Sequence, residues 1–327
     1  MNLDTLEKLY ISELRDLYSA ENQLLKALPK IKDRRSNQMK KFTLAVRYVL
    51  ASLFVALALA LVFSMVGSAN AVTNGEPDAG HHPYVGLAVF DVLDEDGNQV
   101  PSHRCSASLL SPTVVLTAGH CTDGTVAARV WFDEVVQGNP EYPFSGATSY
   151  DGIAYTYPGF CIGCGNGLPG FAAGDVGIIV LSEPVPTNVV SEYAILPEEG
   201  LVDTLKNKTP IDFVGYGVQF QAQIPGNQLP QPPPFYRWTG PRQRMFAPSE
   251  LVSGNFVHSD EFLRLAMNPG GGSGGTCFGD SGGPDLLGDT DIVLGVNSYV
   301  TNVNCAGVGY SFRIDTSEVL AWINSFL

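Results

Sequence analysis

The sequence predicts an all-β domain, a sandwich or barrel of short strands finished by one C-terminal helix, with a helical extension and an export segment in front of it. Three observations carry that expectation. Short apolar runs ("YVGLAVF", "TVVLTA", "VGIIVL", "IDFVGYG", "DIVLGVNSYV") alternate from Val72 onward with loops rich in Gly, Pro, Asn and Asp, which is the texture of a sandwich or barrel. The chain's 35 Gly and 22 Pro supply many turns and leave little room for long helices. The ending "TSEVLAWINSFL" departs from this pattern. It puts Val319, Leu320, Ile323 and Phe326 on one helical face, with Thr316 or Ser317 placed to cap. A length of 327 residues, 45% of them hydrophobic, is enough for one large core or two small ones.

The front of the chain divides at residue 38. Residues 1–38 carry Leu6, Leu9, Leu14, Leu17, Leu24 and Leu28 at near-helical spacing with charges between them, an amphipathic helix. The first 33 residues or so resemble the opening helix of ferritin-like bundle proteins of the YciE type. A bundle metal site needs carboxylates and histidines from several helices. No other bundle helix is visible, so Glu13, Asp16 and Glu21 are assigned no ligand role. The extension reads as a gene-fusion scar or a misassigned start, with Met39 the alternative first residue.

Residues 39–71 read as a signal peptide. Lys40 and Lys41 give a basic start, Tyr48 to Val66 an apolar stretch, and Ala69-Asn70-Ala71 a small-x-small cleavage pattern. Cleavage near Ala71–Val72 and secretion are expected, leaving residues 72–327 as the mature domain. An uncleaved anchor is the alternative, and it is the one route by which the protein would meet a membrane. Residues 1–71 hold 10 Lys/Arg and 6 Asp/Glu, leaving 9 and 27 for residues 72–327. A body that acidic repels phosphate backbones, which excludes nucleic acid as an expected partner.

The chemistry is concentrated in three short stretches. "TCFGDSGGP", Thr276 to Pro284, places Ser281 among glycines where the backbone must bend sharply and where N–H groups lie bare. A serine hydroxyl is a poor nucleophile until a base takes its proton. The base candidate is His120 in "VVLTAGHC"; the group to orient it is Asp175 in "GDVGIIVL", an acid opening a buried-looking strand. An unpaired carboxylate there would be costly, and a histidine partner relieves the cost.

In the order His, Asp, Ser, the motifs "TAGHC", "GDVGIIVL" and "GDSGGP" resemble the chymotrypsin/trypsin-type serine proteases, over roughly Val72 to Leu327. The resemblance implies two six-stranded antiparallel β-barrels with the site in the cleft between them. It implies that Ser281 attacks the scissile carbonyl, that His120 moves the proton and that Asp175 fixes the histidine tautomer. Gly279 and Ser281 N–H groups would form the oxyanion hole, and Ser298 would hydrogen-bond Asp175. Asp280 would pair with the α-amino group of Val72, the residue that the signal-peptide cut exposes. The floor and wall of the specificity pocket would come from Gly275, Ser298, Tyr299 and Val300. Gly275 brings no acid for Lys or Arg, and Val300 narrows the entrance, so small or apolar P1 residues are expected.

The six cysteines allow 15 connectivities. The resemblance selects Cys105–Cys121 and Cys277–Cys305. Cys161 and Cys164 remain, and with no second Cys/His cluster to complete a zinc site, a local disulfide is expected. The loop "DVLDEDGNQ" lacks full calcium-loop spacing, and Asp96-Gly97 reads as a hairpin turn. The sequence therefore points to a monomeric secreted serine endopeptidase acting on polypeptides, with no cofactor and no metal assigned. The alternatives are a catalytically weak or inactive binding protein on the same fold, a membrane-anchored protease, and an esterase using the same groups.

Overall fold

A computed structural model describes residues 72–73, 75–164, 172–224, 235–252, 261–268 and 272–327. The amphipathic extension and the signal segment lie outside the described residues, as does His258. Among the described residues, no helix is long and apolar enough to cross a membrane.

In the first half of the domain the strands are β1 (Glu76–Pro77), β2 (Val85–Leu93), β3 (Gln99–Ser111), β4 (Val114–Thr117), β5 (Ala127–Trp131), β6 (Ser149–Thr156), β7 (Cys161–Ile162), β8 (Ala172–Ala173) and β9 (Gly177–Leu181). A one-turn helix, α1 (Gly119–Thr122), follows β4. The second half has α2 (Leu201–Thr204), then β10 (Pro210–Gly215), β11 (Phe220–Ile224), β12 (Phe235–Thr239), β13 (Met245–Glu250), β14 (Phe262–Met267), β15 (Pro284–Leu287), β16 (Val293–Val300) and β17 (Gly307–Arg313). The chain closes with α3 (Ser317–Asn324).

Strands β2-β3-β4-β9-β6-β5 form a closed six-stranded barrel. The second sheet runs β1-β13-β10-β15-β16-β17-β14. Its ring of six is completed by an isolated antiparallel bridge, Leu251 to Leu265, in place of a continuous ladder. The seventh strand is β1, lent by the lead-in segment and paired to β13 through Glu76–Phe246 and Pro77–Met245.

The apolar runs of the sequence become these strands because closure buries their inward residues. Leu87, Leu109, Leu116, Ile178 and Trp131 are fully buried in the first barrel. A second cluster, with Ile211, Phe213, Met245, Leu265, Met267 and Val72, fills the other. Burial of each such side chain contributes about 1.5–3 kcal/mol. Asp94–Asn98 forms the expected hairpin turn between β2 and β3: Asp94 N–H bonds Asn98 O at 2.8 Å, and Gly97 has φ +80°.

The C-terminal helix forms as expected, burying Val319 and Ile323, although the Thr316 side chain makes no capping bond. Its end packs back on the first barrel, Trp322 on Tyr157 and Phe326 on Tyr155. All three expected disulfides are present, Cys105–Cys121, Cys161–Cys164 and Cys277–Cys305.

Candidate active site

Strand register brings the first two site residues together. β4 pairs antiparallel with β9, Thr117 opposite Gly177. The chain leaving β4 therefore runs beside the chain entering β9, and His120 meets Asp175. Asp175 is fully buried. Its Oδ1 accepts the backbone N–H of His120 at 2.7 Å, and Oδ2 faces His120 Nδ1 at 2.9 Å. A ring nitrogen facing a carboxylate carries the proton, so Nε2 is left as the acceptor. The His120 side chain keeps 28% of its surface exposed, enough for Nε2 to meet a reactant. Ser298 donates its hydroxyl to Asp175 Oδ2, the contact expected from the sequence.

Ser281 sits in a loop whose backbone is fixed from three sides. Its carbonyl accepts the Ser106 N–H at 2.8 Å, and the next N–H, of Gly282, bonds Asn297 O at 2.8 Å. Asp280 N–H closes the turn on Cys277 O at 3.0 Å. Neighbours of these anchors hold the other site residues: Ser106 follows Cys105, which is bonded to Cys121 beside His120, and Asn297 precedes Ser298. The Ser281 loop also presses directly on the histidine's approach. A Cβ on Gly282, which has φ +75°, would lie 2.6 Å from Ala118 N and 2.7 Å from Ser106 O. Only glycine tolerates both that φ and that approach. Gly279, at φ +97°, is the other left-handed position. Among the described residues, neither the Gly279 N–H nor the Ser281 N–H makes an intramolecular hydrogen bond, so both donors are available.

The trypsin family's sequence model matches residues 76–323. The chain belongs to the trypsin family. A second family, described as a domain of unknown function (DUF892), matches residues 5–42. Relatives of the trypsin-family domain include chymotrypsin-like elastase family member 3B of Macaca mulatta, 26% identical over 62% of this chain and 74% of its own length. Chymotrypsin-like elastase family member 1 of Canis lupus familiaris is 25% identical over 69% of this chain and 81% of its own length. These are serine endopeptidases, and the sequence resemblance is to that class. Solved structures of HL collagenase (TM-score 0.54, 20% identity, 77% of this chain and 96% of that one) and of mouse neuropsin (TM-score 0.50, 17% identity, 77% and 97%) share the fold.

Beside the trypsin-family motifs, the structure supplies residues that the sequence reading missed. Met267, at the end of β14, lies against Gly275 and Gly309. A Cβ on Gly275 would lie 2.8 Å from Met267 Cβ, and one on Gly309 would lie 2.5 Å from its Sδ. The Thr276 hydroxyl points at the same sulfur, 3.7 Å away. Val300 pairs with Gly309 across β16 and β17 and is half-buried. Tyr299 stacks on Tyr310 with ring centroids 4.8 Å apart. Gly275, Thr276, Met267, Val300 and Gly309 bring no charge to this place.

Asp280 is fully buried, with Oδ1 accepting the Gly217 N–H at 2.8 Å and Oδ2 the Cys277 N–H at 2.9 Å. Burial pushes its carboxyl up to about 7, against the pull of those two N–H groups and of the Arg104 charge. Val72 is buried in the second core. Thr73 pairs with Gly275 in both directions, N to O distances 2.7 and 2.9 Å. In the uncut chain the Val72 nitrogen is part of a peptide bond and carries no charge, and no hydrogen bond joins Val72 to Asp280 among the described residues.

The Cys105 and Cys121 sulfurs lie near the His120 ring. Their disulfide leaves neither a thiolate to bind a metal.

Proposed function

We propose that this trypsin-family chain is a secreted serine endopeptidase that cleaves polypeptides through an acyl-enzyme. Ser281 Oγ attacks the scissile carbonyl as His120 Nε2 takes its proton. The tetrahedral oxyanion is met by the N–H groups of Gly279 and Ser281. Collapse expels the amine, which collects the proton from His120, and water then releases the acyl group by the same path in reverse. Asp175 holds the ring and balances the imidazolium.

One observation carries the reading. A buried carboxylate grips both the backbone and Nδ1 of a half-open histidine, beside a serine loop whose two N–H donors are unused. A purely structural histidine needs no such free donors. Reaction of the secreted protein with an organophosphonate or sulfonyl fluoride tests it. Label on Ser281 in the native chain, absent from Ser281→Ala, is expected; no label on active protein, or peptide cleavage by Ser281→Ala, defeats the proposal.

Two finer points belong to the same reading. The uncharged place around Gly275 and Met267 favours small or apolar P1 side chains over Lys or Arg. Signal-peptide removal at Ala71–Val72 makes the activating amine: Val72 is held near the segment 275–280 by the Thr73–Gly275 pairing, and Asp280 is a buried acid with no ammonium or guanidinium bonded to it. The three disulfides agree with an oxidising compartment. N-terminal sequencing of active enzyme is expected to read VTNGEPD; full activity in a chain extended before Val72 counts against this maturation step.

A further inference from the structure

Arg104 lies on β3, directly before Cys105. Its guanidinium reaches over the turn that leads into Ser281: a Cβ on Gly279 would meet Arg104 Nε at 3.3 Å and Nη2 at 3.7 Å. The residue is partly exposed. The buried arginines of this domain are all engaged, Arg129 by Asp91, Arg244 by Asp78 and Arg313 by Asp315 and Asp203. Arg104 makes no ion pair and no side-chain hydrogen bond among the described residues. The acid nearest in influence, Asp280, has both oxygens committed to the Gly217 and Cys277 N–H groups. Over residues 72–327, 27 acidic residues stand against 9 Lys/Arg, so partners are abundant, and among the described residues this cation still has no ion pair.

Its position fixes what it meets. Gly275, Thr276, Val300 and Gly309 belong to the second sheet and its loops. Arg104 belongs to the first barrel, directly before the disulfide-bonded Cys105, and its guanidinium lies against Gly279, two residues before Ser281. A peptide that lays its acyl side along the second sheet sends its leaving strand past Arg104. We infer that Arg104 binds a carboxylate on the leaving-group side of the substrate, an acidic side chain within the first two residues after the scissile bond. This rests on the peptidase reading above. A guanidinium forms paired, charge-assisted hydrogen bonds with a carboxylate. The neutral amide of the same shape cannot replace these.

The test uses secreted, processed protein and a set of amidated, internally quenched peptides. These share Ala before the scissile bond and differ after it only in Glu, Gln or Lys. Native enzyme is expected to favour Glu over Gln by about tenfold in kcat/KM, chiefly through KM, with the ratio shrinking in high salt. In Arg104→Gln the ratio falls to about one, and in Arg104→Glu the Lys peptide becomes the best of the three. A Glu/Gln ratio of one in native enzyme overturns the inference. So does a ratio retained in Arg104→Gln, even if all rates fall together, since that assigns the guanidinium to the Asp280 turn. A parallel Ser281→Ala sample separates the two levels: cleavage there defeats the peptidase reading itself, whereas Ser281-dependent cleavage blind to Arg104 defeats only the inference.

Discussion

Ser298 donates its hydroxyl to the same Asp175 oxygen that faces Nδ1 of His120. The carboxylate is therefore held by a strand of the second sheet and spends its bonds on a histidine loop of the first barrel. Orientation of the ring depends on both.

Asp175→Asn keeps the shape but presents an amide whose N–H can face Nδ1 and favour the wrong tautomer. A fall in kcat on the order of 10³–10⁴ is expected. Ser298→Ala removes one of several bonds to the carboxylate, and about a tenfold loss is expected from removal of a single charged hydrogen bond. Steady-state kinetics on one peptide, with Ser281→Ala as the floor, compares them. Equal losses in the two variants would contradict the ordering.

Met267 fills the space beneath Gly275 and Gly309. Shortening it in Met267→Ala is expected to raise kcat/KM for Leu or Phe at P1, relative to Ala, by about tenfold. The cavity costs about 2–4 kcal/mol of stability. Met267→Leu, close in volume, is expected to leave both stability and P1 ranking near native. A P1 peptide panel read beside thermal melts separates pocket depth from general loosening.

Burial raises Asp280 to about 7 in a chain whose Val72 nitrogen is still acylated. The folded state then holds this proton more tightly than the unfolded state does. The resulting stability is full below pH ~4 and is lost as pH climbs to about 7, roughly 4 kcal/mol in all. Urea unfolding at pH 4.5, 6 and 8 on a chain extended by a few residues before Val72 is expected to show that slope. Asp280→Asn removes the Asp280 share of it. In protein cut before Val72, the proposed ammonium is expected to keep the carboxylate ionised and to remove the slope from this group.

Asp285, on β15, is fully buried, and among the described residues neither oxygen meets a donor in hydrogen-bonding geometry. Burial pushes its carboxyl well up, with the Ser311 hydroxyl acting the other way. Its folded proton affinity exceeds the unfolded one, so its contribution falls as pH rises above ~4. Asp285→Val is expected to stabilise the domain at pH 8 by about 1–3 kcal/mol and to have less effect at pH 4.5. Equal effects at both pH values would show that packing alone is changed.

The sequence displayed those parts of the site that are written in consecutive residues. A nucleophile turn needs glycines at 279 and 282 because of local φ and close approach, and a run such as "GDSGGP" records that need. His120 and Asp175 each flank an apolar strand, so their motifs were visible, and antiparallel pairing of β4 with β9 joined them. Met267, Arg104 and Ser106 left no such mark. Met267 reaches Gly275 and Gly309 through its pairing opposite Gly307, 40 positions along the chain, and Arg104 matters only because β3 passes the turn at Gly279. The two barrels were expected from the resemblance, but the way the second ring closes was not: it closes at a single bridge, Leu251–Leu265, and the lead-in strand β1 joins its edge; no local pattern encodes either.

Arg244, directly before β13, bonds Asp78 Oδ2 at 2.8 Å, the Val85 and Phe132 carbonyls at 3.0 and 3.2 Å, and the Tyr216 hydroxyl at 3.3 Å. Three of these four acceptors belong to the amino-terminal half of the domain and the cation to the other. The halves are thus not interchangeable modules. A chimera that takes one lobe from a relative must inherit the arginine and its receptors together, and halves expressed apart would each expose groups whose counterparts are missing.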